Sequence, residues 1–356
     1  MIGRAVNGRS TQGMLMTGLR GVGKTVILNE LMRMAEEQGV LPLYVEATAE
    51  STLSELLASE LKKLFFSLNR MAGAAEKVKK GLVVLRNFIG TIHVKVGDVG
   101  LDIEPFAGIA DSGNIEADLA DLFECVAEAA KEKKKAVLLL VDEVQYLPKR
   151  ELGALIMAFH RLQQRQLPFA VIGAGLPMLA ELAGKTKSYA ERLFLYPRVD
   201  ALTLEATRQA IESPFVSCGV KVDRRAVEKI YRQSKGYPYF IQEWGYQIWN
   251  HVERKMVGAG DVDKVKTKVE KRLDENFFHA RLERLTVGEK DFLYGMSLCT
   301  GKISMANVAC VLDVNAASMS KRRASLLAKG MIYSPHYGEL AFTVPMFGQF
   351  MRRSRR

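Results

Sequence analysis

Residues 18–25 read Gly18-Leu-Arg-Gly21-Val22-Gly23-Lys24-Thr25, the spacing G-x-x-x-x-G-K-T that cradles phosphate groups. Glycines at 18, 21 and 23 let successive backbone N–H groups turn inward around phosphate oxygens, an approach that a Cβ would obstruct. Lys24 is expected to bring a point charge to the β- and γ-phosphates and the Thr25 hydroxyl to coordinate Mg²⁺. Val22 and Val26 belong to the same cradle, and the helix that follows adds its positive N-terminal end.

Asp142-Glu143 could do chemistry as well, because it directly follows the apolar run Val137-Leu-Leu-Leu-Val141. A buried strand that ends in carboxylates places them at its C-terminal edge, where ligands bind in open α/β sheets. Asp142 is expected to hold Mg²⁺ through water. Glu143 is expected to orient or deprotonate an attacking water, since in-line phosphoryl transfer needs a positioned nucleophile beside neutralised phosphates. Taken alone, the pair would read as surface carboxylates closing a strand; the loop at 18–25 changes that reading. The glutamate favours hydrolysis over transfer to a small acceptor, for which nothing marks a site. No N-K-x-D guanine-reading motif is present, so ATP is expected rather than GTP.

These residues need a scaffold. Residues 14–173 alternate short apolar runs with stretches of helical period. Strands are expected at Met14–Thr17, Leu41–Ala47, Ala136–Val141 and Phe169–Gly173, with helices at Lys24–Glu37, Thr52–Leu68 and Glu116–Lys131 between them. Continuous rather than alternating Val/Leu/Ile content fits strands buried on both faces, hence an α/β fold with a parallel sheet covered by helices on both sides. One insert breaks the pattern: Ile92–Glu104 alternates with period two around Gly97-Asp98, as a β-hairpin does.

Past Leu202 the strand signal stops. Helices are expected at Glu205–Val216, Asp223–Ser234 and Tyr239–Lys255, then a long charged one at Val262–Leu285. Thr286-x-x-Glu289 is a capping box that marks a fresh start. Helices at Val287–Leu298, Ser304–Leu312 and Ala316–Lys329 follow, then a hairpin of Met331–Ser334 and Glu339–Val344 turning at Pro335-His-Tyr-Gly338. Three helices closed by a hairpin make a winged helix-turn-helix. The expected organisation is a P-loop core over 1–200 with its hairpin insert at about 91–104, an all-helical lid over 201–285, and a winged helix over 286–356.

Together these motifs resemble the origin-recognition-like AAA ATPases of bacteria and archaea, which grade into the STAND class of signal-transduction NTPases. The resemblance runs over nearly the whole chain: the loop at 18–25, Asp142-Glu143-Val-Gln145, Gly173-Ala-Gly-Leu-Pro177, Ser188-Tyr-Ala-Glu-Arg192-Leu-Phe194, Gly236-Tyr-Pro238 and the terminal helices and hairpin. It implies ATP and Mg²⁺ as cofactors, bound between core and lid, and a molecular switch that hydrolyses ATP. It also implies that Arg192 is an arginine finger or nucleotide-sensing arginine, supplied from a neighbouring subunit if the protein oligomerises; an ion pair beside Glu191 is the other reading. Gly236 and Pro238 match the G-x-P element that contacts adenine in such lids, or else a turn whose proline opens the next helix. Where these proteins usually end the fourth strand in a polar residue that touches the γ-phosphate, this chain has Gly173-Ala174-Gly175, so the role is absent or passes to backbone. Thirteen residues precede Met14, fewer than such proteins carry there, which implies an incomplete adenine pocket or a shortened chain.

Charge points to a partner. Over 356 residues, 51 Lys and Arg stand against 40 Asp and Glu, a net +11. Residues 301–356 hold nine basic residues against Asp313 and Glu339, which is +7 of that total. In a recognition helix over Ala316–Lys329, Ser318, Ser320, Lys321, Arg322, Arg323 and Ser325 would face a DNA groove, with His336 and Tyr337 at the wing tip. Phosphate contacts of this kind give salt-sensitive binding to double-stranded DNA with little base selectivity. The same charges could instead form a solvated face on a domain that docks on protein. The closing Arg-Arg-Ser-Arg-Arg reads as a flexible tail. With 48% hydrophobic and 26% charged residues the composition is that of a globular protein. No apolar run is long enough to span a bilayer and no signal pattern opens the chain, so a cytoplasmic location is expected. The scattered Cys125, Cys218, Cys299 and Cys310 read as reduced, mostly buried thiols. Phe240, Trp244 and Trp249 read as lid core.

Overall fold

The computed structural model describes residues 3, 11–70, 75–91, 110–251 and 255–354. The chain divides into two compact units, one made of Met1–Gly18 with Lys24–Arg198 and the other of Leu19–Gly23 with Val199–Arg356.

The first unit carries the sheet. Its elements run β1 (Gly13–Thr17), α1 (Lys24–Glu37), β2 (Leu41–Glu46), α2 (Leu53–Arg70), α3 (Ala75–Thr91), α4 (Ile115–Glu132), β3 (Val137–Asp142), α5 (Lys149–Gln164), β4 (Phe169–Gly175), α6 (Leu179–Thr186), α7 (Ala190–Leu193) and β5 (Phe194–Leu195). All five strands are parallel, in the order β2-β3-β4-β1-β5. Every residue of β3 and β4 is buried, which is why those strands read as unbroken apolar runs. Asn114 caps α4 through Glu116 N at 3.1 Å, and Leu119, Phe123 and Val126 on that helix are fully buried. β4 runs two residues past the expected end, because Ala174 and Gly175 still pair with β1. The fifth strand went unforeseen, since two residues carry no periodicity. The period-two stretch Ile92–Glu104 lies outside the described residues.

The second unit begins with α8 (Leu204–Ser217), β6 (Lys221–Val222), α9 (Arg224–Ser234), α10 (Pro238–His251), β7 (Met256–Val257) and α11 (Ala259–Arg272). The stretch expected to be wholly helical contains a parallel two-residue ladder, β6 with β7. The long helix expected over Val262–Leu285 keeps α-helical register only to Arg272 and widens into a π-helical stretch at Leu273–His279. That widening turns two consecutive rings inward: Phe277 and Phe278 are both buried, and Phe278 stacks on Phe350 at 4.9 Å. Phe240 and Trp244 are core as expected, whereas Trp249 is exposed.

The chain continues with α12 (Val287–Leu298), β8 (Ile303–Ser304), α13 (Met305–Leu312), a 3₁₀ turn at Ala316–Met319, α14 (Ser320–Ala328), β9 (Ile332–Tyr333), β10 (Glu339–Phe342) and α15 (Phe347–Ser354). The strands form an antiparallel sheet in the order β8-β10-β9. The basic end is not a free tail through Ser354: Phe347, Phe350 and Met351, at helical spacing, bury one face of α15. Arg353 pairs with Asp274 at 2.7 Å, and Arg352 donates to the Ser297 carbonyl. None of the four cysteines is fully buried, contrary to expectation: Cys218 and Cys310 are exposed, and all four are free thiols.

Glu289 ties two of these helices together. Its carboxylate accepts from Thr286 N at 2.7 Å, Ser325 Oγ at 2.6 Å and Lys329 Nζ at 2.8 Å, while Glu289 N donates to Thr286 Oγ1. Burial alone would raise this acid, but the bonds from Lys329, Ser325 and Thr286 outweigh it and bring its pKa down to about 2. A carboxylate depressed below its ordinary 4.5 adds stability that is fully present above pH 4.5 and disappears as pH falls toward 2. The drop corresponds to at most about 3 kcal/mol. Wild type is therefore expected to lose stability more steeply between pH 4.5 and 2 than Glu289→Gln in chemical denaturation, and equal slopes would show that the network contributes nothing.

Candidate functional site

Strand order explains how the separated motifs meet. β4 lies between β1, which feeds the glycine-rich loop, and β3, which carries the acidic pair. All three strands are parallel, so their C-terminal ends open on one edge. Gly18 N, just past β1, donates to Gly175 O at the end of β4 at 3.1 Å.

Within the first unit, Thr25 on α1 donates its hydroxyl hydrogen bond to Asp142 Oδ2 at 2.6 Å. Asp142 is almost fully buried; its Oδ1 accepts from Glu143 N at 2.8 Å, and Tyr44 on β2 also reaches Oδ2 at 3.4 Å. Burial, then the charges of Asp142 and Glu46, push the Tyr44 hydroxyl up to about 12, so it stays a hydrogen-bond donor at neutral pH. Lys24 is only 5% exposed, and its ammonium donates to Gly18 O at 3.1 Å. A cation this buried on the first turn of a helix suits an anionic partner. Glu143 sits in the left-handed region with φ 51° and ψ 39°. Such a conformation costs a non-glycine residue roughly 1–3 kcal/mol and clusters at functional sites.

The loop has the geometry its glycines imply. Gly21 and Gly23 have φ of +84° and +95°, and a Cβ at Gly23 would project into open space, so the cradle stays clear. Val22 is buried in the apolar cluster of the second unit, which leaves it only its backbone for a ligand, and the Val26 side chain is exposed.

Three further expected residues each have a defined setting. Arg192 is exposed on α7 and, among the described residues, makes no ion pair with Glu191; its carbonyl accepts from Gln12 Nε2 at 3.0 Å. Gly236, at φ +72°, lies so close to Leu202 that a Cβ would meet that residue's carbonyl oxygen at 2.2 Å, and Pro238 opens α10. Between them, Tyr237 is fully buried in the second unit, its ring stacked obliquely on Phe240 and about 3 Å from where a Cβ on Gly21 would stand.

In the C-terminal part, Ser318, Ser320, Lys321, His336 and Tyr337 are exposed, Tyr337 fully so at the tip of the β9–β10 turn. Arg323 reaches Ser334 Oγ at 3.5 Å. Two residues are corrected. Ser325 turns inward onto Glu289, and the Arg322 guanidinium lies over Gly288 at the start of α12, where a Cβ would come within 2.7 Å of Nε. Sequence reasoning missed Tyr44, Gln145 and Tyr237. A tyrosine in β2 beside the strand bearing Asp142 was the one signal for the first, and the signal for Gln145 is its place two residues after Glu143.

A parallel sheet, a glycine-rich loop between β1 and α1, and a Thr–Asp contact at the sheet's open edge define a P-loop nucleoside triphosphatase fold. Residues 1–172 match the AAA ATPase domain family, and residues 275–351 match a domain of unknown function, DUF8462. The resemblance to AAA ATPases drawn from the motifs is thereby borne out. Among solved structures, a Walker-type ATPase of Pyrococcus abyssi is similar at TM-score 0.60 and 14% identity, covering 95% of this chain and 90% of its own. The Orc1 protein of Aeropyrum pernix in complex with DNA matches at TM-score 0.48 and 14% identity, over 99% of this chain and 90% of its own. RuvB of Thermotoga maritima matches at 0.49 and 14%, over 98% and 91%. No curated protein matches the chain. Among the described residues no helix is long and apolar enough to cross a membrane.

Proposed function

We propose that the protein is a molecular switch that binds ATP with Mg²⁺ and hydrolyses it. The observation that carries this reading is the 2.6 Å contact between Thr25 Oγ1 and Asp142 Oδ2 beside the buried Lys24 ammonium. Thr25 and Asp142 fit a hard divalent cation, which would neutralise phosphate charge when bound. Lys24 and the amides of residues 18–25 hold the phosphate chain, and Glu143 takes a proton from the attacking water or orients it. Arg192, exposed on α7, is proposed to meet a phosphoryl group from a neighbouring subunit. Phosphate release from ATP that stops on chelation of Mg²⁺ tests the reading; no release at any protein concentration would overturn hydrolysis.

We further propose that the C-terminal helices and β9–β10 hairpin act as a winged helix that passes the nucleotide state to double-stranded DNA. Exposed Lys321 and Tyr337 and half-buried Arg323 support this reading. In fluorescence anisotropy, the Lys321→Ala/Arg323→Ala pair is expected to weaken binding to unrelated duplexes alike. It is also expected to flatten the dependence of log K on log salt by about 2, near 0.9 per phosphate contact. Binding unaffected by salt would favour the second reading, a protein-docking domain. Lys329 and Arg353, each already ion-paired, and Arg322, which lies over Gly288, favour that reading too.

A further inference from the structure

We infer that Gln145 is a positioning residue for Glu143, and that it supplies from the turn after β3 the polar side chain that β4 lacks. This inference rests on the hydrolysis proposed above. Gln145 lies in the 3₁₀ turn Val144–Tyr146, directly after Glu143. Its Oε1 accepts from Leu176 N at 2.9 Å, one residue beyond β4, and its Nε2 donates to Glu143 Oε2. The two contacts fix each other. Leu176 N–H can only donate, so the amide oxygen must face it, and the amide NH₂ is left to face a carboxylate that, when ionised, only accepts.

Two features of the surrounding chain agree. A Cβ on Gly175 would stand 2.5 Å from Gln145 Oε1, so the glycine that ends β4 leaves room for this side chain. Gly173 and Ala174 offer no polar group, and Gly175 gives its carbonyl to Gly18 N at the mouth of the phosphate loop. The end of β4 thus touches the loop through Gly175 and the glutamate through Gln145. Glu143 is also held in the left-handed region, with its backbone N–H fixed to Asp142 Oδ1. Backbone and side chain of Glu143 are therefore both restrained, and a base fixed relative to the phosphates needs little reorganisation when water attacks.

The two hydrogen bonds can be separated by substitution. Gln145→Glu keeps an acceptor for Leu176 N and removes the donor to Glu143; Gln145→Ala removes both; Gly175→Ala pushes the amide aside. Phosphate release would be measured beside ATP affinity by titration calorimetry and thermal unfolding, in wild type, these three variants, Glu143→Gln and the Glu143→Gln/Gln145→Ala pair. Expected is a fall in kcat of about tenfold or more in all three variants, with ATP affinity within about twofold of wild type. Gln145→Glu should fail as Gln145→Ala does while unfolding at the wild-type temperature. Gln145→Ala should lower turnover no further once Glu143 is changed, because its effect passes through that carboxylate. Restoration of wild-type kcat by Gln145→Glu would show a structural tie to Leu176 only, and equal falls in affinity and kcat would show a general disturbance; either overturns the inference. Turnover indifferent to Glu143→Gln would instead overturn the role of Glu143 in water activation, and no turnover in wild type would overturn the hydrolysis reading; the inference falls with either.

Discussion

Replacing Lys24 by alanine is expected to weaken ATP binding by a hundredfold or more in titration calorimetry, with the folded circular-dichroism spectrum retained. The ammonium is nearly excluded from water and donates to the Gly18 carbonyl. A polyphosphate offers full negative charges at the same place, and each charge-assisted hydrogen bond is worth about 1.5–3 kcal/mol. Two of them, to a β- and a γ-oxygen, correspond to roughly 10²–10⁴ in affinity. Retained folding is expected because the rest of the first turn of α1 is anchored separately, through Thr25 on Asp142. An affinity unchanged by Lys24→Ala would remove the assignment of the loop as the phosphate site.

Glu143→Gln should separate binding from turnover. The amide keeps the size of the side chain but cannot take a proton, so ATP affinity should hold while phosphate release falls several hundredfold, within the ~10²–10⁴ that general-base action supplies. The substitution also places two amides face to face, so the Gln145 NH₂ loses a charged acceptor. Single-turnover measurements with saturating ATP would read the chemical step alone, and a variant as fast as wild type would assign water activation to another group.

Much of this site is legible in the sequence alone, for a physical reason. A phosphate loop is local: its glycines, lysine and threonine act on one ligand from eight consecutive residues, and a strand buried on both faces announces itself by unbroken Val and Leu. The acidic pair could be read because strand polarity fixes which end of β3 it occupies. Legibility fell away where function depends on which strands are neighbours. Tyr44 matters because β2 lies beside β3, and Gln145 because β4 ends within reach of it; neither fact is encoded in nearby residues. β5, β6 and β7 are two residues each, too short for any period. The last helix was recoverable, since Phe347, Phe350 and Met351 carry helical spacing, but the surrounding arginines drew the reading toward a tail. Arg322 and Ser325 sit on a helix whose inward face is set by the position of Glu289 on another helix.

That glutamate has a consequence for how the C-terminal helices come apart. One carboxylate serves the opening of α12, through Thr286, and the close of α14, through Ser325 and Lys329. Helix ends ordinarily fray one by one, but here a proton exchanging at the start of α12 and one exchanging at the end of α14 would report the same opening event, so the two ends share a single unit of cooperativity.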